Sequence, residues 1–450
     1  MDKTSTGSRL MMIVIGVALV GVPALVFRAL CLGNSCDEPI NAASEVPFCS
    51  LPEHLRTAIV RGFRDEPRRS PDLLAVTREQ SVIGGTGFED RGRAPAWPSL
   101  ARTESSTVPI IFWGRGVDPD AEVPAGTGVE DVSETLAAII SFKRPDPHVR
   151  SGEAVAGVAE EDAPSLVVSI VLKGVGTEDL EREPNSWPEI QTLMDEGAGT
   201  LRGSVGSLPL DPTAVLTTIG TGGYPSEHGI VGTLVRNDQG ELVRAWGPRS
   251  PIHIIATLGD HLDERTRQRS KIGLVQTAPT DRGLIGGNWY VDVDQDEVTP
   301  ASPDPAGAAR SILKRGYGTD SVPDLLAVAL DGPIEAMDAA VGAIVGAAEK
   351  ASNGSVAVAV AASGSNPPAT EAPEGPDAVV RPIERALPGA ERVVEATAVG
   401  GLFLDQEVLS RTGITEDEVL KLLDGVEDGS GEKLMADAFP AVAVFFSRYC

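Results

Sequence analysis

The 450-residue sequence predicts a three-layer α/β/α sandwich with a mostly parallel central sheet, preceded by one transmembrane helix. Three observations carry this expectation. From about residue 49 onward, apolar runs of strand length alternate with amphipathic stretches of helical length. That is the pattern of strands covered on both faces by crossover helices. A separate apolar run, Leu10–Phe27, stands before them. Aromatic residues make up only 4% of the chain, so the core must be built from Ala, Val, Leu and Ile.

The strands come first. Leu166–Leu172 is apolar except for Ser169, and Lys271–Gln276, Leu325–Leu330 and Val356–Ala361 read the same way. Runs this short and this apolar suit strands buried on both faces. Helices are expected over Ser186–Glu196, Ile252–Arg267 and Glu335–Lys350. Within the last, Ala336–Ala348 is too short to span a bilayer and is broken by Asp338, so it reads as a packed helix. Thr415 opens a further helix, with Glu418 three residues on completing a capping box. Residues 363–380, rich in Pro, Ser and Glu, read as a loop. There is no internal repeat. Length alone would allow about three domains, but one continuous alternation favours a single large α/β domain.

Leu10–Phe27 is apolar apart from glycines and Pro23, and its 18 residues make a helix about 27 Å long. That approaches the ~30 Å of a bilayer's hydrocarbon. Lys3 and Arg9 precede it, so the positive-inside bias puts residues 1–9 in the cytoplasm, the anchor at 10–32 and the rest outside. A cleaved signal or a lipoprotein anchor at Cys31 would also place the remaining chain outside the cytosol. Residues 33–48 form a polar linker.

Lys and Arg number 38 against 65 Asp and Glu, a net charge of −27. Nucleic acid is therefore excluded as a partner, as is broad docking on an anionic membrane face. The scarcity of Lys beside Arg, with much Ala, Gly, Val and Asp, is the coding style of high-GC bacteria, an association rather than physics. The four cysteines are Cys31, Cys36, Cys49 and Cys450. Their spacing matches no zinc pattern, and disulfides are permitted outside the cytosol. A Cys49–Cys450 bridge would tie the two ends of the folded region together. Free thiols or a local Cys31–Cys36 pair remain the alternative.

Three stretches resemble the alkaline phosphatase superfamily, nearest its type I phosphodiesterase / nucleotide pyrophosphatase branch. Thr221–Gly232, reading TGGYPSEHGIVG, resembles the turn that follows the nucleophile helix in that family. Val108–Val117 is similar to a late family strand and turn, and Asp131–Ala137 to the "DvaPTLA" stretch, with Pro145 and Gly152 closing that region. Val167–Gly174 and Leu258–Leu262 are weaker matches, and residues 68–77 resemble another late strand. The order is unusual: 49–160 matches the family's late part and 161–400 its early part. The ectodomain, 49–450, thus reads as a circular permutant. A bridge between Cys49 and Cys450 would join the new ends.

The resemblance implies two divalent metals of the zinc type, held by Asp and His, and a Ser or Thr nucleophile. Such metals polarise phosphoryl oxygens and activate the nucleophile. Most of the implied positions hold the wrong chemistry here. The metal-binding Asp at the end of the first strand falls on Lys173, beside Gly174. The Asp-His-Gly after a later strand falls on Ala362-Ser363-Gly364. Asp331 could still ligate, but no His follows it, and the late His is missing near Gly84–Gly87. The nucleophile position falls on Pro212, with Thr213 beside it. Of the histidines, 54, 148, 228, 253 and 261, only His228 lies in a strong motif, where it reads as scaffold. Asp292–Glu297 starts like a calcium loop but lacks the Gly at place six and the acidic residue at place twelve, Pro303, so a solvated acidic loop is expected. Gly283–Gly287 is not a phosphate loop, and the Asn353 sequon carries no weight in a bacterium.

The expectation is a membrane-anchored extracytoplasmic protein of this superfamily, catalytically degenerate, binding an unidentified envelope ligand or protein. No cofactor is expected, and Thr213 is the fallback nucleophile. The alternative is an active metal-dependent phosphoester hydrolase. The former active-site positions Lys173, Thr213 and Ser363 are expected to converge at the carboxyl edge of the sheet. There Lys173 would stand as a cation able to keep a small anion, or else be a paired lysine.

Overall fold

The computed structural model describes residues 47–64, 68–79, 83, 97–100, 106–287, 289–290, 296–366, 377–387, 389 and 392–450. The apolar run at 10–27 and the Gly84–Gly87 stretch lie outside them, as do Cys31, Cys36 and most of the acidic loop. Among the described residues no helix is long and apolar enough to cross a membrane.

The strands among the described residues are, in chain order, β1 Leu73–Thr77, β2 Thr107–Gly114, β3 Leu166–Leu172, β4 Ala198–Ser204, β5 Leu234–Arg236, β6 Leu242–Arg244, β7 Ile272–Val275, β8 Glu297–Val298, β9 Asp324–Leu330, β10 Val356–Ala362, β11 Val394–Ala398, β12 Gly401–Leu404 and β13 Met435–Pro440. Seven form the central sheet, in the order β4-β2-β10-β3-β9-β7-β8. From β10 to β8 every pairing is parallel, whereas β2 runs antiparallel to both β10 and β4. Every residue of β3, β9 and β10 is buried, as expected of strands that are apolar but for Ser169 and the leading Asp324.

Helices cover both faces. The Pro188–Glu196, Pro305–Leu313 and Ile334–Ser352 helices pack together on one side. The Asp131–Ile139, Pro212–Thr221 and Leu258–Thr266 helices pack together on the other. This is the three-layer arrangement expected, with Asp338 accounted for: its buried carboxylate accepts the Glu189 and Ile190 N–H groups, which begin the neighbouring helix. The Ser186 start shifts to Pro188 and the Ile252 start to Leu258. In the second case Thr257 accepts the Asp260 N–H and Asp260 reaches back to the Thr257 N–H. This capping box fixes the helix start six residues later than the apolar pattern suggested.

Strand–helix alternation does not describe the whole folded region. Four strands form a second sheet, β11-β12-β1-β13, antiparallel throughout, with its own apolar cluster around Leu73, Trp97, Ile383, Leu402, Val419 and Leu423. The reason is local. Ala398 pairs with Gly401 across Val399-Gly400, and Gly400 takes φ +74°. A two-residue hairpin can join only antiparallel neighbours. The 68–77 stretch supplies β1 of this sheet. The loop expected over 363–380 is also too long, because Asp377–Ala386 is helical, burying Val379 and Ile383. The Thr415 capping box is present.

The ends of the folded region meet. Cys49 and Cys450 form a disulfide with Cα atoms 5.3 Å apart, and Phe48 packs edge-on against Phe439 of β13.

Candidate functional site

Because β3 and β10 are parallel and in register from Leu166↔Val356 to Leu172↔Ala362, Lys173 and Ser363 leave the sheet side by side at its carboxyl edge. The Gly174 N–H donates to Ser363 Oγ at 2.9 Å, and Gly174 turns the chain with φ +69°, a conformation open to glycine. Lys173 does not point an open ammonium at solvent. It is buried, and its Nζ donates to Asp281 Oδ1 at 2.7 Å and to Thr277 Oγ1 at 2.8 Å. Asp281 in turn accepts the Thr277 and Ala278 N–H groups and the Thr277 hydroxyl through Oδ2. Burial alone would raise the Asp281 carboxyl. The Lys173 charge and these hydrogen bonds outweigh it and hold the carboxyl below its ordinary range. Lys173 is therefore a paired lysine. The picture of a cation standing ready for an anion is corrected: desolvation requires a counter-charge, and the chain supplies one 108 residues away.

Thr213 opens the Pro212–Thr221 helix, and its hydrogen bonds go to Asp211 and Thr233. Asp211 caps the Pro212–Thr221 helix by accepting the Thr213 N–H at 2.8 Å, and Pro212 occupies the first helical position. The Thr213 hydroxyl is 2.9 Å from the Thr233 hydroxyl, which is 3.2 Å from Asp211 Oδ1. All three residues are buried, and burial raises the Asp211 carboxyl against the pull of its hydrogen bonds. This relay was not legible in the sequence, where Thr233 lies 20 residues downstream. Asp331 follows β9 and is exposed, lining a cleft of about 300 Å³ with Asp304.

The Thr221–Gly232 turn serves as scaffold. His228 Nδ1 accepts the Ile230 N–H, so the ring proton sits on Nε2, which donates to Thr218 Oγ1 at 3.1 Å. Burial, then the neighbouring His253 and Arg69, push this histidine well below its ordinary range, keeping it neutral. The Glu227 carboxylate holds the Tyr224 N–H and the Ser151 hydroxyl, joining the turn to the 145–152 region.

Sequence reasoning missed Arg144. Its buried guanidinium donates to Ser133 Oγ, Glu134 Oε1, the carbonyls of Thr221 and Ala256, and His261 Nδ1. One side chain thus pins the Asp131–Ala137 stretch, the motif turn and the Leu258 helix together. Burial brings it down to about 9 despite Glu134, and burial with the Arg144 and Arg150 charges takes His261 to about 3. His253 pairs with Asp260 at 3.0 Å. His54 and His148 are exposed.

The donor set does not suit a pair of divalent metals. An ammonium occupies the strand end, Ser363 lies beside it, and the buried His228, His253 and His261 are hydrogen-bonded to Thr218, Asp260 and Arg144. Among the described residues, no group of three or more His, Cys, Asp or Glu is placed to hold a metal ion.

Residues 167–259 match the family model described as type I phosphodiesterase / nucleotide pyrophosphatase. The match covers 93 of the 450 residues. It runs from β3 through Lys173, the Pro212–Thr221 helix and the motif turn to the start of the Leu258 helix. Two solved structures are similar to this chain. One is wild-type alkaline phosphatase PafA, at 17% identity and TM-score 0.41, covering 58% of this chain and 76% of that one. The other is a multiply substituted mutant of PafA, at 16% identity and TM-score 0.42, covering 57% and 75%. No curated protein matches the chain.

Proposed function

We propose that this chain is a member of the alkaline phosphatase superfamily and acts as a membrane-tethered, extracytoplasmic binding or interaction module of the cell envelope that no longer hydrolyses phosphoesters. One observation carries the reading. The position that the resemblance assigns to a metal-binding Asp holds Lys173, sealed in a buried pair with Asp281. A metal ion there would face an ammonium instead of a carboxylate. The position assigned to the nucleophile is Pro212, which has no hydroxyl. A cleft of about 670 Å³, lined by Ser165, Pro323 and Ser355, opens instead at the opposite edge, where the parallel strands begin.

The same reading takes the chain as a circular permutant, 49–160 being the family's late part and 161–400 its early part. The Cys49–Cys450 bridge supports it, because permutation requires ends that lie together. The anchor at 10–32 supplies the tether.

The test is metal analysis of the purified full-length protein, with assays on simple phosphomonoesters and phosphodiesters in added zinc and manganese. Substoichiometric metal and no turnover are expected. Two tightly bound ions per chain, or turnover that disappears in Thr213→Ala, would overturn the reading and establish the hydrolase alternative. The observation favouring that alternative is the Thr213–Thr233–Asp211 relay, which could draw a proton from Thr213.

A further inference from the structure

The Glu53–Gly62 helix and the segment at 204–208 line a cleft of about 600 Å³. That is the size of a small-ligand site. Its two walls are locked to each other. The Leu208 N–H donates to the Ala58 carbonyl at 2.9 Å, and a Cβ on Gly62 would stand 1.8 Å from the Leu208 carbonyl oxygen. The helix therefore lies directly on the segment, and the cleft is formed before any ligand arrives.

Arg61, in the last turn of the helix, lines this cleft. Its guanidinium carbon lies 4.5 Å from the centroid of the Tyr224 ring, and Nη1 reaches the Gly206 carbonyl at 3.4 Å. Among the described residues no carboxylate lies within ion-pair distance of it. Tyr224 is a fixed platform. It is buried, its hydroxyl donates to Glu130 Oε1, and Gly206, at φ +72°, passes so close that a Cβ there would stand 3.0 Å from the ring. Stacking on a fixed ring orients the guanidinium. Its remaining N–H donors keep the planar fork that takes a carboxylate in two parallel hydrogen bonds.

Around Arg61 the cleft offers hydroxyls rather than charges. Thr57, Ser204 and Ser207 line it, and Ser204 Oγ accepts the Gly206 N–H at 3.1 Å, which leaves its own proton to donate. Glu53 and His54 also line it, but they stand eight and seven positions before Arg61. At 1.5 Å per residue that is about 12 and 10.5 Å along the helix axis, beyond the ~8 Å screening length at physiological ionic strength. One guanidinium matches the single charge of a carboxylate. A phosphate dianion would bring a second charge that no nearby side chain of the cleft meets.

We propose that this cleft binds a hydroxylated carboxylate of monosaccharide size, a sugar acid, with its carboxylate on the Arg61 fork and its hydroxyls on Thr57, Ser204 and Ser207. The site shares no residue with the Lys173–Asp281 pair or with the 670 Å³ cleft, so it stands whether or not the chain hydrolyses phosphoesters.

Calorimetric titration of the purified full-length protein tests this, with D-glucuronate, D-glucose and inorganic phosphate as probes. Glucuronate should bind at one site per chain, and glucose and phosphate at least about tenfold more weakly. Arg61→Gln should weaken glucuronate binding about 10–100-fold, the worth of hydrogen bonds to a charged group. Arg61 is exposed, so the thermal unfolding midpoint of that variant should match the parent, which separates a lost site from a lost fold. Glu53→Gln should leave the affinity within about twofold, because its charge is screened from the fork. No glucuronate binding at millimolar concentration overturns the site. Glucose binding as tightly as glucuronate overturns the role of the charge, and tighter binding of phosphate overturns the carboxylate assignment. Glucuronate affinity unchanged in Arg61→Gln puts the binding elsewhere and overturns this cleft.

Discussion

Asp281 and Glu130 are both buried carboxyls at the start of a helical turn, yet they end on opposite sides of their ordinary range. Burial is the largest influence on each and pushes each up. Asp281 has an ammonium 2.7 Å away, a hydroxyl and two backbone N–H groups, and it comes out low. Glu130 has the Tyr224 hydroxyl on one oxygen, while Oε2 is buried without a hydrogen-bond partner. Arg61 stacks over the Tyr224 ring, 4.5 Å from its centroid, rather than on the carboxyl. Glu130 is raised to about 7. Burial by itself therefore says little about a carboxyl's charge. What decides it is whether a full positive charge is delivered to the same place.

The largest test of the comparison removes that charge. Lys173→Met should destabilise the protein by about 3–5 kcal/mol in urea unfolding, because Asp281 is left buried and uncompensated. Adding Asp281→Asn, which keeps oxygen for the Thr277 and Ala278 N–H groups, should restore much of the loss. If the double variant is no more stable than Lys173→Met, the pair is not what holds Asp281 low. The next test concerns pH, where the two carboxyls have opposite signs. Asp281, lowered in the fold, adds stability above its unfolded value near 3.8, and this is lost as pH falls through its folded value. Glu130, raised from 4.5 to about 7, costs stability that is absent at low pH, grows between those two values and is constant above them. Glu130→Gln should then match the parent near pH 4 and exceed it near pH 8, by something on the order of 3 kcal/mol at ~1.36 kcal/mol per unit. A gain independent of pH would show that the carboxyl does not titrate in this window. Smallest of the three, Tyr224→Phe removes the one hydroxyl serving Glu130. It should cost about 1–3 kcal/mol at neutral pH and move the titration window upward. A shift of that window downward would mean that Tyr224 disfavours the carboxylate instead of stabilising it.

Much of the architecture was legible because it follows from local pattern. The runs at 166–172 and 325–330 were strands within a residue, since a strand buried on both faces is apolar at nearly every position. Thr415 and Glu418 announced their capping box for the same reason: both partners lie within one turn. What failed was also physical. The antiparallel sheet was concealed because β1 and β12 lie more than 300 residues apart, and no periodicity encodes a pairing at that separation. At the site, the residue types were legible and their partners were not. Lys173 could be named, but Asp281 and Thr277 could not, because a turn residue 108 positions away carries no mark of the lysine it meets.

The sequence alone determined which chemistry is present at each matched position: an ammonium at 173, a ring at 212 without a hydroxyl, a serine at 363. Side-chain identity does not depend on folding. It also determined the strand and helix periods, which depend on neighbours a few residues away. Only the tertiary structure decided how those groups are used. The register of β3 against β10 set Lys173 beside Ser363, the turn after β7 brought Asp281 to the ammonium, and the helical layer kept Thr213 among hydroxyls of its own. A charge in a chain acquires its meaning from what burial brings within hydrogen-bonding distance, and that distance is fixed only by the fold.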